Sequence, residues 1–177
     1  ATGKRHIVSS QIEHKAVLEP LAVLKQRGFL VTLVPPEKTG RVSVEAIQTA
    51  IRPETLLVSM MHVNNETGVV QPIGQLAEAL QGRDVLLHVD AAQGFGRELE
   101  PLAHPRIDLI SLSSHKIYGP PGVGALVARH RREQSIALTP VIHGGGQELG
   151  LRSGTLPTAL IRGFGLAAEL AQRESRD

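Results

Sequence analysis

The chain has 177 residues, the length of a single domain, and it can bury a substantial core even with only three Phe and one Tyr. Lys and Arg number 19 against 17 Asp and Glu, and the charges are interspersed rather than massed in blocks. This distribution does not indicate a nucleic-acid-binding protein. Because the sequence contains no cysteine, disulfides, thiolate metal sites and thiol nucleophiles are excluded within this chain.

No apolar stretch approaches the roughly 20 residues that cross a bilayer, and no apolar signal core follows the first residues. These features predict a cytoplasmic protein that does not contact a membrane. The densest basic run, residues 129–132, follows a predicted strand and is interpreted as a solvated surface turn, with a docking patch as the alternative. The chain starts without methionine and ends in a polar stretch, so we expect a piece of a longer polypeptide.

Five short apolar runs bounded by Gly, Pro, Asn or Asp predict buried strands. They cover residues 6–9, 29–34, 56–61, 85–89 and 109–112. Apolar residues at helical spacing lie between these runs and near the end of the chain, at Ala16, Val17, Leu21 and Leu24, at Val44, Ile47 and Ile51, at Ile73, Leu76, Ala77 and Leu80, and from Leu160 to Leu170. The alternation predicts an α/β fold in which helices sandwich a mostly parallel sheet.

Four residues indicate where these helices begin and end. Ser43 is predicted to cap the second helix, and Pro72 to start the third, where its missing N–H costs little. Gly28 directly follows the first helical pattern, as a C-terminal stop does. Pro20 lies inside that pattern, which predicts a helix that starts late or kinks there.

Ligands of open α/β sheets bind beyond the carboxyl ends of the strands, so the polar residues after each apolar run are candidates for a site. Ser113, His115 and Lys116 follow the fifth run, ahead of a loop rich in Gly and Pro. A lysine flanked by hydroxyl and imidazole donors can meet a phosphate ester and an aldehyde together, as a Schiff-base lysine does. Taken alone, Lys116 is more often a solvated loop lysine.

Polar residues follow three other strands as well. Asp90, after the fourth run, can pair with a pyridinium nitrogen, the partner that a pyridoxal electron sink requires, or it can cap a helix. Asn65 can donate to a phenolic oxygen, and His14 can stack on a planar ring or move protons. Turn and structural roles are the ordinary alternatives for these two residues. Four polar clusters at four successive strand ends favour a pyridoxal phosphate site.

Six segments, in order along essentially the whole chain, carry a family resemblance. They are residues 9–14 (SSQIEH), 61–68 (MHVNNETG), 87–93 (LHVDAAQ), 111–120 (SLSSHKIYGP), 143–148 (HGGGQE) and 152–157 (RSGTLP). The sequence resembles the cysteine desulfurases, a branch of the fold type I pyridoxal phosphate enzymes related to class V aminotransferases. The resemblance implies that residues 1–177 are part of the large, cofactor-binding domain, without the early phosphate loop and the C-terminal small domain that carries the catalytic cysteine.

The resemblance also implies a role for individual residues. Lys116 would hold the cofactor as a Schiff base and move the Cα proton of the substrate, Asp90 would hold the pyridine nitrogen, and His14 would stack on the ring and take part in acid–base steps. The other implied contacts are those of Asn65 and Gln93 with the phenolic oxygen, of Ser113 and His115 with the phosphate, and of Thr155 with the phosphate of the neighbouring subunit. The contact of Thr155 implies a homodimer with shared active sites.

The reaction that the family implies converts L-cysteine to L-alanine and passes the sulfur as a persulfide to an acceptor protein. The persulfide forms on a cysteine that lies outside this chain, so we expect the chain alone to be inactive. The acceptor stays open among iron–sulfur cluster assembly, transfer-RNA thiolation and DNA sulfur modification. The alternatives are a selenocysteine lyase or another class V enzyme, and a truncated, non-catalytic binding module.

Overall fold

The computed structural model describes residues 3–129 and 136–174, in which six strands form one sheet flanked by helices. The strands are β1 (His6–Ser10), β2 (Leu30–Val34), β3 (Thr55–Met61), β4 (Leu86–Asp90), β5 (Leu109–Ser113) and β6 (Gly124–Ala128). The α-helices are α1 (Lys15–Gln26), α2 (Val44–Ala50), α3 (Ile73–Ala79) and α4 (Thr158–Glu174), and short 3₁₀ helices cover Glu100–Ala103, Ser114–Ile117 and Glu148–Gly150.

The strands are arranged in the order β2-β1-β3-β4-β5-β6. All neighbouring pairs from β2 to β5 are parallel, and β6 returns antiparallel to β5. The predicted α/β fold with a mostly parallel sheet is therefore confirmed. Each of the five predicted strands is present with its ends displaced by at most one residue, because short apolar runs bounded by turn residues determine strand ends locally.

The main hydrophobic core joins α2 and α3 to one face of the sheet. It is aliphatic, and its fully buried members include Val8, Ile47, Val58, Leu76 and Leu87. A smaller cluster joins α4 to the 3₁₀ helix after β5, where Ile117, Phe164 and Ala167 are buried together. Within residues 3–129 and 136–174, no helix combines the length and the hydropathy needed to cross a membrane.

Three of the predicted helix ends are present in the structure. The Ser43 hydroxyl accepts the Ala46 N–H at 3.2 Å and caps α2. α3 begins directly after Pro72. Gly28, with a φ of +86°, follows the last turn of α1 and has the left-handed conformation that glycine adopts without strain.

Of the two alternatives predicted for α1, a late start or a kink at Pro20, the late start is wrong. The helix begins at Lys15 and continues through Pro20, which lies in its second turn. The His14 Nδ1 accepts the Ala16 N–H at 3.1 Å and caps the helix at this earlier position. A side-chain cap of this kind stabilises the first turn, whereas the proline removes one backbone hydrogen bond from the second.

The basic run at residues 129–132 lies only partly within the described residues. Arg129 is half-buried, and its guanidinium donates to the Leu102 carbonyl at 2.7 Å and to the His104 carbonyl. For Arg129 the predicted solvated turn is therefore wrong, because its side chain closes the segment after the 3₁₀ helix Glu100–Ala103. Residues 130–132 lie outside the described residues.

A buried ion pair attaches the start of β5 to β4. Arg106 Nη1 lies 2.6 Å from Asp108 Oδ2, and the two side chains are only 9% and 7% exposed. Arg106 also donates to the carbonyls of Leu80 and Val85, at 2.9 and 2.6 Å, and the Asp108 carboxylate accepts the Leu87 N–H at 2.7 Å. These additional hydrogen bonds offset the cost of removing two charges from water.

We predict that Arg106→Ala lowers the free energy of unfolding by about 3–5 kcal/mol, because it removes the guanidinium that pairs with the buried Asp108 carboxylate. The matched control is Arg52→Ala, since Arg52 is 52% exposed and lies 4.0 Å from Glu54. The control should cost less than about 1 kcal/mol. Urea denaturation followed by circular dichroism measures both variants, and equal losses would contradict the prediction.

Candidate active site at the carboxyl edge of the sheet

Four neighbouring parallel strands end together at one edge of the sheet. β1, β3, β4 and β5 are consecutive in the sheet, and their last residues are Ser10, Met61, Asp90 and Ser113. Met61 lies opposite Asp90 in the register of β3 and β4. The structure therefore places the four polar segments that follow these strands at the same edge.

The segment after β5 carries three of the predicted site residues. Ser113 Oγ lies 2.9 Å from His115 Nδ1, so the hydroxyl and the imidazole form one hydrogen-bonded pair. Lys116 follows within the 3₁₀ helix, is exposed, and makes no hydrogen bond or ion pair with another described residue. An amine presented in this way is free to bind or react with a ligand.

The chain then returns as β6, which closes the lysine segment. Gly124 lies opposite Ser113 in the antiparallel register, and the Ser114 N–H donates to the Val123 carbonyl at 3.2 Å. Between these contacts Tyr118 has a φ of +62°, a conformation that non-glycine residues rarely adopt. Residues 114–123, the lysine loop, thus have both ends fixed and a tight turn at residue 118.

The end of β4 presents a carboxylate next to this loop. Asp90 is half-buried, and its Oδ1 accepts the Ala92 N–H at 3.0 Å. Its neighbour in the sheet is Ser111, two residues before the end of β5. Asp90 ends β4 and the lysine loop follows β5. These two strands are neighbours, about 5 Å apart in the sheet.

An open cleft of about 510 Å³ lies between the loop after β3 and the segment after β4. Asn65 and Gln93 both line this cleft, so the structure brings these two predicted residues together. Lys116, Asp90 and His14 are not among its lining residues. The amide pair therefore forms a second part of the site, beside the group formed by Asp90 and the lysine loop.

The shape of the loop after β3 depends on Asn64, to which the sequence analysis gave no role. Its Oδ1 accepts the N–H groups of Glu66 and Thr67 at 3.0 and 2.8 Å, and its Nδ2 donates to the Ile12 carbonyl at 3.1 Å. Asn64 is buried whereas Asn65 is exposed. One asparagine thus builds the turn and ties it to the end of β1, which leaves Asn65 available to a ligand.

The end of β1 carries an exposed imidazole and a buried carboxyl group. His14 is exposed and, since its Nδ1 accepts the Ala16 N–H, the neutral ring carries its proton on Nε2. Glu13 is only 5% exposed, and burial raises its pKa to about 7. The sequence analysis quoted Glu13 within a motif without giving it a role, because its burial depends on the neighbouring strand.

Two histidines lie behind the strand ends, His62 buried and His88 half-buried. His88 on β4 contacts Ser59 Oγ through Nδ1 and Ser111 Oγ through Nε2, both at 2.8 Å, and burial lowers its pKa against the opposing effect of the Asp90 charge. His62 has no hydrogen-bond partner at either ring nitrogen among the described residues, and burial lowers its pKa to about 4. His62 is therefore neutral at physiological pH.

Thr155 lies apart in sequence from these four strand ends, unlike the other predicted site residues. It is exposed in the segment between the 3₁₀ helix Glu148–Gly150 and α4, and it makes no hydrogen bond to the groups described above. The predicted contact of Thr155 with a neighbouring subunit stays a prediction.

A parallel sheet with a lysine, a carboxylate and amide groups at its carboxyl edge defines an α/β ligand-binding protein, and comparison with known proteins gives the family. The family model for aminotransferase class-V matches residues 1–176. The chain belongs to the class-V aminotransferase family, and the predicted relation to the cysteine desulfurases is confirmed by its relatives.

One curated relative and two solved structures each match nearly the whole of this chain. The cysteine desulfurase IscS of Vibrio cholerae is 49% identical over 170 residues, which are 96% of this chain and 42% of that protein. The crystal structure of DndA from Streptomyces lividans has a TM-score of 0.95 and 54% identity, covering 99% of this chain and 49% of that one. SspA in complex with cysteine has a TM-score of 0.83 and 46% identity, covering 94% and 47%. The chain thus spans less than half the length of these relatives.

We predict that Gly94→Ala destabilises this edge by about 1–3 kcal/mol, because overpacking strains a close contact. A Cβ at Gly94 would lie 2.3 Å from His62 Nδ1 and 2.8 Å from Val63 Cγ2. The control is Gly74→Ala in α3, where a Cβ meets no atom within 4 Å and helix propensity favours alanine. Urea denaturation compares the two, and a stable Gly94→Ala protein would contradict the packing described here.

Proposed function

We propose that this chain is the large, pyridoxal-phosphate-binding domain of a cysteine desulfurase. The observation that carries the proposal is the placement of Lys116 and Asp90 after adjacent parallel strands at one sheet edge. A reactive amine and a carboxylate for a pyridinium nitrogen are the two groups that this cofactor requires of a protein. The Vibrio cholerae relative described above is named as a cysteine desulfurase, which supports the same cofactor.

The groups at this edge fit pyridoxal phosphate in their chemistry. Ser113 and His115 supply hydroxyl and imidazole donors suited to a phosphate, beside the unpaired amine of Lys116. The Asp90 carboxylate suits the pyridinium nitrogen, and the amides of Asn65 and Gln93 suit the phenolic oxygen. When bound, the cofactor supplies an electron sink for the negative charge that develops at the substrate Cα.

The protein side chains would then bind, orient and move protons. Lys116 would hold the cofactor through its amine and afterwards transfer the proton of the substrate Cα. His14 would stack on the ring and exchange a proton at Nε2, the nitrogen that the helix cap leaves free. Asp90 would keep the pyridine nitrogen protonated, while the Ala92 N–H fixes its carboxylate.

The proposed reaction converts L-cysteine to L-alanine and transfers the sulfur to an acceptor protein. One solved relative is a complex with cysteine, which supports this amino acid as the substrate. Sulfur removal needs a thiolate to take the sulfur as a persulfide, and this chain contains no cysteine. The nucleophile therefore belongs to another segment or chain. The cytoplasmic location predicted from the sequence stays a prediction.

A homodimer with shared active sites is part of the proposal. Large apolar side chains are exposed in the segment before α4, where Val141 is 90% and Leu149 is 97% exposed. Leu149 also has a φ of +58°, a strained conformation that presents its side chain outward. Thr155 lies in the same stretch of chain. A second copy of the chain that covers this apolar surface would therefore bring Thr155 of the first copy towards the active site of the second.

We predict that the full-length protein mixed with pyridoxal phosphate shows the visible absorbance of a lysine-bound cofactor, and that Lys116→Ala abolishes it. Cysteine turnover should fall by about 100-fold or more, because a positioned acid–base group is lost. The control is Lys25→Ala, which removes an exposed lysine from the last turn of α1 and should leave both readouts unchanged. Absorbance is measured after gel filtration removes free cofactor.

Three results would contradict different parts of this proposal. Visible absorbance that survives Lys116→Ala would show that another amine holds the cofactor. Release of selenide from selenocysteine without any turnover of cysteine would favour a selenocysteine lyase. A full-length protein that binds no cofactor would favour the non-catalytic binding module, although a module would not need Lys116 and Asp90 at one edge.

We predict that Leu149→Asp weakens the dimer at least tenfold, because it places a charge in an apolar contact. Light scattering across a concentration series measures the dissociation of the full-length protein. The matched control is Val23→Asp on α1, where the exposed valine is remote in sequence from the segment before α4. A dimer that is equally stable in both variants would exclude this surface as the interface.

A further inference from the structure

The Glu13 carboxyl group connects the ends of two strands. Its Oε1 accepts the Ser10 hydroxyl at 2.8 Å and the Met61 N–H at 2.7 Å, and so bridges the last residues of β1 and β3. Its Oε2 is buried and has no hydrogen-bond partner among the described residues. The side chain as a whole is only 5% exposed.

An ionised carboxylate in this position would be poorly stabilised. A buried charge requires partners for its lone pairs, and Oε2 has none. A neutral carboxyl group, in contrast, carries its proton on Oε2 and keeps Oε1 as the acceptor for both donors. Burial of the unpartnered Oε2 disfavours the ionised form of Glu13 more than the protonated form, because a neutral group loses less on leaving water.

The titratable groups around Glu13 point to the same form. The contacts from β1 and β3 are uncharged, and His62, which follows β3, is kept neutral by burial. The negative charge that acts on Glu13 is that of Asp90 at the end of β4. Burial and this charge together raise the Glu13 pKa to about 7, against the opposing effect of the two hydrogen bonds to Oε1.

We propose that Glu13 is a positioning residue of this site: it joins the ends of β1 and β3 in its protonated form, so that the charged carboxylate of the pair is that of Asp90 at the end of β4. The purpose of this arrangement rests on the proposed function, since one pyridinium nitrogen needs one carboxylate. Two neighbouring carboxyl groups with different environments then divide the roles, one neutral and one charged. Glu13 also fixes the backbone from which His14 extends.

The proton on Glu13 is tested by stability measurements that need no cofactor. The folded pKa of about 7 lies above the ordinary value of 4.5. The stability that the protonated group contributes is therefore complete below pH 4.5 and is lost as the pH rises through about 7. Glu13→Gln is neutral at every pH, so the wild type should lose stability relative to this variant across that window.

We compare the urea midpoints of three proteins across this pH range: the wild type, Glu13→Gln and the control Glu19→Gln. Glu19 is an exposed residue on α1. A wild-type midpoint that runs parallel to that of Glu13→Gln would overturn the inference. If Glu13→Gln does not fold, the ¹³C carboxyl resonances of labelled glutamate in the wild type decide the matter. A glutamate signal that titrates near pH 7 supports the proposal, and its absence refutes it.

The positioning role is tested by pyridoxal phosphate binding to the full-length protein. Glu13→Gln keeps an oxygen acceptor for the Met61 N–H and should bind the cofactor within about twofold of the wild type, whereas Glu13→Ala should bind about tenfold more weakly. Equal losses in both variants would overturn the role. A wild type that binds no cofactor would instead refute the proposed function, and the stability titration would still report the Glu13 proton.

Discussion

The parallel pairing of β1, β3, β4 and β5 is the interaction on which the rest of the site depends. Backbone hydrogen bonds hold these four strands side by side, and their common direction brings their last residues to one edge. Residues far apart in sequence, such as His14 and Lys116, thereby follow strands of the same layer. A one-residue change of register would turn the Asp90 side chain to the opposite face of the sheet and separate it from this group.

The fold could be predicted from the sequence largely because its signals are local. Short apolar runs between turn residues placed all five predicted strands, and Ser43 placed the start of α2. The start of α1 could not be predicted from Pro20 alone, since the His14 cap competes with it. The role of Glu13 was missed for a different reason: its Met61 partner is 48 residues away, and only the pairing of β1 with β3 brings them together.

Two buried carboxyl groups show how the same residue chemistry serves different purposes. Asp108 is paired with a nearly buried arginine and accepts a backbone N–H, so its charge is compensated and stabilises the sheet. Glu13 has hydrogen-bond donors on one oxygen and, within the described part of the chain, none on the other. The first arrangement favours an anion and belongs to the amino end of the strands, whereas the second favours a neutral acid and lies at the carboxyl end, beside the proposed cofactor.

The pairing of β6 with β5 affects Lys116, although Lys116 lies on neither strand. Because Gly124 lies opposite Ser113, residues 114–123 form a short closed loop whose two ends cannot separate while the ladder is intact. Closing such a loop restricts the backbone around Lys116 before any ligand arrives, so less entropy is lost on binding. The restriction of the backbone around Lys116 thus originates in β6, an exposed strand that carries none of the predicted site residues.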